Sequence, residues 1–158
     1  MIAEFGERDE FMPPSFMMLA LEEARAAAAE GEVPVGCVVV SDGGVVARTR
    51  NRTIGDRDPT AHAELVAIRQ AAAALGSERL TECDLYVTLE PCTMCAAALS
   101  FARIRRLYYG ASDPKGGAVE SGVRFFDQAT CHHRPEVYGG IAEGEASALL
   151  REFFKARR

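Results

Sequence analysis

No segment of this sequence stays apolar over the length that a membrane-spanning helix needs. A secretory leader is not expected either. The first ten residues carry Glu4, Glu7, Arg8, Asp9 and Glu10, where a signal peptide would be basic and then apolar. The five cysteines are odd in number and lack the regular spacing of a secreted disulfide framework, so they read as metal ligands or core thiols in a reducing compartment. A net positive charge is absent too. The balance is −5, and it argues against the broad basic footprint of a general nucleic-acid binder. There is no internal repeat, linker or low-complexity tract. These absences lead to the expectation of a soluble, cytoplasmic protein with no membrane partner, built as one domain over residues 1–158, of which 1–12 form a flexible arm.

The charge that is present is unevenly spread. Residues 1–32 hold eight acids and two bases, and the remainder is close to neutral. The last eight residues hold Arg151, Lys155, Arg157 and Arg158 against Glu152, which leaves room for a small basic site on an acidic protein. An apolar share of 48% is ordinary for a packed domain.

Hydrophobic spacing sets out the elements. Met17, Leu21, Ala24 and Ala28 recur at helical intervals, which predicts a helix over 15–30 opened by Pro13 and Pro14 and closed by Gly31. The unbroken run Val35–Val40 suits a strand buried on both faces. Ser41-Asp42-Gly43-Gly44 predicts a turn into a returning strand over 45–50. A second helix over 61–75 places Leu65, Ile68, Ala72 and Leu75 on its inner face. A strand over 85–89, a helix over 91–102, short strands at 106–109 and 136–138 and a closing helix over 143–155 complete the order. Residues 123–135 are expected to be irregular or briefly helical. Alternation of this kind favours a layered α/β domain with a mixed sheet.

Two short segments carry chemistry. Thr60-Ala61-His62-Ala63-Glu64 and Pro91-Cys92-Thr93-Met94-Cys95 each fall where a helix is expected to begin. Cys92 and Cys95 are three apart, so both thiols share one helical face. A helix N-terminus favours the thiolate that a metal requires. With His62 as the third ligand, two sulfurs and one nitrogen suit a single zinc ion per chain. Three protein ligands leave one tetrahedral position open, the mark of a catalytic zinc, at which water ionises near neutral pH. Glu64, two residues from the histidine, is the candidate proton carrier. A capping box from Thr60 would put its acid at position 63, which is alanine, so that device does not explain Glu64. Cys131-His132-His133 is the rival feature, since any of the three could close the shell and make the zinc structural. Cys37 and Cys83 read as structural thiols.

At these residues the sequence resembles the bacterial tRNA-specific adenosine deaminases, the TadA family, whose zinc signature pairs H-x-E with a later P-C-x-x-C. The likeness extends through Pro34-Val35-Gly36, Asn51-Arg52, Asp58–Glu64, Leu85–Cys92, Gly110–Ala118 and Phe153–Arg158. It implies a cytidine-deaminase-like fold, a three-layer α/β/α sandwich around a mixed five-stranded sheet, and a homodimer. It implies hydrolysis of adenosine to inosine at the wobble position of a tRNA anticodon stem-loop, with zinc and no organic cofactor. By the same resemblance Asn51 holds the flipped base, Val33 and Val35 wall its pocket, Asp113 touches the neighbouring nucleotide, and Phe154, Lys155 and Arg157 lie along the RNA stem. The acidic N-terminal arm and the short basic end depart from the family pattern. Two alternatives stay open on sequence: a guanine or deoxycytidylate type of deaminase on the same fold, and an RNA-binding module whose zinc is closed by Cys131 or His132.

Overall fold

The computed structural model describes residues 13–157. The expected arm at 1–12 and the last basic residue, Arg158, lie outside them. Helix α1 (Pro13–Ala29) starts two residues earlier than the spacing predicts, because proline fits the first helical turn, where its missing N–H would have had no partner. It buries Met17, Ala20, Leu21, Ala24 and Ala27 along one stripe. Strands β1 (Gly36–Ser41) and β2 (Gly44–Arg50) form a hairpin. Its turn places Asp42 and Gly43 at φ 52° and 75°, the doubly left-handed geometry that matches strand twist. β2 is a sheet edge, and its Arg48 and Arg50 reach across to Glu22, Glu23 and Glu30, covering that edge with charge.

Helix α2 (Ala63–Leu75) leads to β3 (Cys83–Leu89), α3 (Thr93–Ala102) and β4 (Arg106–Ala111). A 3-10 turn at Phe125–Asp127, β5 (Glu136–Tyr138) and α4 (Glu143–Ala156) follow. The strand order is β2-β1-β3-β4-β5. β1 runs antiparallel to both neighbours, and β3, β4 and β5 run parallel. Alternate strand residues feed two cores. Cys37, Val39, Leu85, Val87 and Leu107 pack under α2 and α3 with Ala67, Ala71 and Leu99. Val38, Val40 and Tyr86 pack on the other face with Met17 and Leu21 of α1 and Ala146 of α4. This is the layered α/β domain that the alternation of elements predicts, in the three-layer, five-stranded form that the family resemblance implies.

Two details differ. The buried face of α2 is Ala63, Glu64, Ala67 and Ala71, while Leu75 is 44% exposed and Leu65, Ile68 and Ala72 are half-buried flanks. Turning Glu64 inward sets the phase of the helix, and small alanines are what share its face. Cys83 is the first residue of β3 rather than a residue before it. Gly36 permits the close seat of α1 on the sheet, since a Cβ there would lie 1.9 Å from the Ala20 carbonyl oxygen. Its N–H is taken by the buried Thr88 hydroxyl.

Candidate active site

The N-termini of α2 and α3 converge near the end of β3, where the chain leaves the sheet. His62 and Cys92 are the N-cap residues of these helices, both in extended conformation, and not members of the first turn as their spacing suggests. Cys95 follows within α3 and is fully buried. The Thr49 hydroxyl donates to the Ala63 carbonyl at 2.7 Å and ties the start of α2 to β2.

His62 Nδ1 lies 3.7 Å from Cys92 Sγ and 3.5 Å from Cys95 Sγ, and the three ligand atoms all fall within 4.8 Å of one another. Zinc–sulfur and zinc–nitrogen bond lengths in a tetrahedron give edges of roughly 3.5–3.8 Å, so the group has the dimensions of a zinc site. Its electrostatics point the same way. The Cys92–Cys95 contact holds the Cys92 thiol down to about 4 and drives Cys95 well above its ordinary value, with burial and the Glu64 charge adding to the rise. Two sulfurs this close carry one negative charge between them; a divalent cation lets both be thiolates. The Cys92 contact also raises His62 against the opposing effect of burial. Among the described residues Cys131, His132 and His133 do not join the group. Cys131 lies 3.5 Å from the Ser100 hydroxyl, and His133 Nε2 lies 2.7 Å from the Ile104 carbonyl oxygen, so these residues tie the loop before β5 to α3.

Glu64 is 4% exposed, and burial pushes its carboxyl up to about 7. It faces a cavity of about 200 Å³ lined also by Val33, Val35, Asn51, His62, Leu89, Glu90, Cys92, Asp113 and Gly116. That volume is below the ~300–1,000 Å³ of drug-sized pockets and suits one planar base. The Asn51 side-chain amide makes no hydrogen bond within the described residues, and its backbone N–H donates to Val35. Asp113 uses Oδ1 to accept from the Lys115 and Gly116 N–H groups, which shapes its own turn.

A larger, adjoining cavity of about 810 Å³ shares Val33, Leu89, Asp113 and Gly116 and adds Phe154 and Arg157. Lys155 is exposed and lines neither cavity. The Arg157 guanidinium sits 3.5 Å over the Phe153 ring and donates to the Phe153 carbonyl. The structure thus brings Val33, Val35, Asn51, Glu64 and Asp113 together around the metal group and places Phe154 and Arg157 one cavity away. Sequence reasoning leaves out Leu89, Glu90 and Gly116, which complete the inner lining. The available signal for Glu90 is an acid closing an apolar strand directly before Pro91-Cys92. Burial raises its carboxyl, but hydrogen bonds from the Asp113, Glu120 and Ser121 N–H groups and the Ser121 hydroxyl outweigh this and hold it below the usual range.

Comparison with known proteins agrees with this geometry. The model of the cytidine and deoxycytidylate deaminase zinc-binding region matches residues 13–111. A tRNA-specific adenosine deaminase of Agrobacterium fabrum is 67% identical over 90% of this chain and 94% of its own. The chain belongs to the tRNA-specific adenosine deaminases. A structure solved in a study of A-to-I editing by tRNA:A34 deaminases is 68% identical, covering 85% of this chain and 98% of that one with a TM-score of 0.85. A guanine deaminase from Nitrosomonas europaea is more distant, at 27% identity over 90% of this chain and 84% of its own with a TM-score of 0.78. Zinc dependence is general to the family, and His62, Cys92 and Cys95 are the residues of this chain positioned for one ion.

Proposed function

We propose that this chain, acting as one domain, hydrolyses adenosine to inosine at the wobble position of a tRNA anticodon. The observation that carries the reading is the buried Glu64 facing a base-sized cavity beside His62, Cys92 and Cys95. The 67% identity to a tRNA-specific adenosine deaminase supports the choice of substrate.

Bound zinc supplies Lewis acidity, which makes water nucleophilic near neutral pH. Glu64 moves the protons. It accepts one from the water as the oxygen bonds carbon 6 of the adenine, and delivers it to ring nitrogen 1. It then takes the proton of the new hydroxyl on carbon 6 and gives it to the amine, so that the bond from carbon 6 to the amine nitrogen breaks, ammonia leaves and a carbonyl remains at carbon 6. Burial disfavours the charged form of Glu64 and so makes its carboxylate a better proton acceptor than an exposed glutamate. Asn51 presents an amide donor and acceptor to the base edge, and Val33, Val35 and Leu89 wall the cavity and exclude water. An anticodon loop offers an unstacked base, so extrusion costs only a few kcal/mol. Asp113, through its free Oδ2, and Phe154, Arg157 and the nearby Lys155 hold the RNA outside the cavity.

The working form is a homodimer in the cytoplasm. Among the described residues no helix is long and apolar enough to cross a membrane. Leu99, Ala102 and Ile104 pack inside the chain, whereas Phe101, 66% exposed on the outer face of α3, offers an apolar contact to the second copy. Incubation of the zinc-loaded protein with an anticodon stem-loop, guanine and deoxycytidylate in separate reactions decides the substrate. The expected result is the mass change of an amino-to-oxygen exchange at the wobble adenosine alone. Turnover of guanine or deoxycytidylate with the stem-loop untouched overturns the reading.

A further inference from the structure

Glu90 is 2% exposed, and it lies at the junction of β3 with the segment that carries Cys92 and Cys95. Its carboxylate is wrapped by one loop. Oε1 accepts from the Asp113 N–H at 2.9 Å and from the Ser121 hydroxyl at 2.9 Å. Oε2 accepts from the N–H groups of Val119, Glu120 and Ser121 at 3.1, 2.9 and 2.9 Å. Successive backbone N–H groups turned toward one carboxylate form an anion-binding nest, here filled from inside the protein. Gly117 makes the enclosure possible, since a Cβ there would stand 2.5 Å from the Glu90 carboxyl carbon and 2.5 Å from the Asp113 carbonyl oxygen.

The loop has other ties to the zinc segment. The Ala118 N–H donates to the Pro91 carbonyl, and Gly117 pairs with Cys92 as an isolated bridge. Those ties fix the middle of the loop. Asp113, which together with Gly116 lines both the inner cavity and the outer one, is linked back to the sheet end through Glu90.

We propose that Glu90 is a positioning residue for the polynucleotide: its buried carboxylate shapes the loop over 112–121 into the rim that presents Asp113 and Gly116 to the RNA flanking the reacting base. This rests on the function proposed above. Glu90 stands in the wall of the inner cavity, but both of its carboxylate oxygens are taken up by donors of the 113–121 loop and Glu64 carries the proton path, so its effect belongs to substrate engagement and not to the chemical step. Charge and shape are both needed. Glutamine fills the same volume, but in either orientation its NH₂ meets an N–H donor, Asp113 on one side or Val119, Glu120 and Ser121 on the other, and buried donors lose their acceptor.

The test is steady-state kinetics on an anticodon stem-loop with Glu90→Gln, alongside zinc analysis and hydrogen exchange. The expected result is one zinc per chain, faster exchange of the 113–121 amides, KM raised about tenfold or more and kcat within about threefold of the parent, the loss of one or two buried hydrogen bonds expressed in binding. A merely structural role would lower the active fraction, hence kcat, and leave KM unmoved; that result overturns the proposal. If Glu90→Gln does not fold, Ser121→Ala decides, because it removes one hydroxyl donor and leaves the carboxylate. KM raised about threefold supports the proposal and an unchanged KM overturns it. A parent protein inert on the stem-loop overturns the functional reading and this inference with it, whereas an active parent with an unchanged variant overturns the inference alone.

Discussion

Glu64→Ala leaves a protein that binds one zinc per chain and forms inosine about a hundred- to ten-thousand-fold more slowly, the range that a positioned acid–base group contributes. The separation of the two effects is the point. Glu64 projects from the first turn of α2 and is not among the three ligand atoms, so its removal leaves His62, Cys92 and Cys95 in place. The fold tolerates the loss, because the methyl group joins the buried Ala63, Ala67 and Ala71 on the same helical face. What disappears is a buried carboxyl that faces the cavity beside the three ligand atoms and that burial pushes up to about 7. Zinc analysis by mass spectrometry and single-turnover rates on the anticodon stem-loop measure the two quantities independently. A variant that keeps most of its rate removes Glu64 from proton transfer.

Cys92→Ala gives the opposite pattern, with metal and activity falling together. Two of the three protein ligands remain, and His62 and Cys95, 3.5 Å apart, no longer make a three-ligand face once the Cys92 sulfur, 3.7 Å from His62 Nδ1, is gone. Without the metal, the pKa of the water rises back toward its bulk value and the water is not ionised at neutral pH. Stability falls as well, because an ion that binds only the folded chain adds free energy that the variant forgoes. The expected readings are little bound zinc, activity at the floor of the assay, and a melting temperature lower than that of the zinc-loaded parent and near that of the parent treated with a chelator. Stoichiometric zinc in Cys92→Ala would reassign the ligands.

The grouping of His62, Cys92 and Cys95 with Glu64 beside them is legible in the sequence because their spacing is local. H-x-E and C-x-x-C each span less than one helical turn, and two helix starts bring them together. The layer order is legible for a similar reason, since strands and helices alternate at recognisable periods. What escapes is set by distant contacts. His62 and Cys92 turn out to be caps because their backbones are extended before the helices begin, a matter of ±2 residues that hydrophobic spacing does not resolve. The inner face of α2 is read as Leu65, Ile68, Ala72 and Leu75 because larger side chains dominate a periodicity argument, while the actual phase follows Glu64. Glu90 reaches partners 23 to 31 residues away along the chain, so nothing near it in sequence announces the nest. Glu32 is a second case. It is 2% exposed and accepts from the Ile54 and Gly55 N–H groups, which steadies the loop that follows Asn51. The basic C-terminus is legible as charge but not as geometry: Phe154 and Arg157 line the outer cavity, whereas Lys155 lines neither cavity.

X-ray absorption at the zinc edge of the purified protein tests the arrangement most directly, because it counts the side chains around the ion. Two sulfurs and a single imidazole nitrogen, with no further protein ligand, are the expected result. A third sulfur or a second imidazole, from Cys131, His132 or His133, would close the shell and contradict a hydrolytic centre at His62, Cys92 and Cys95.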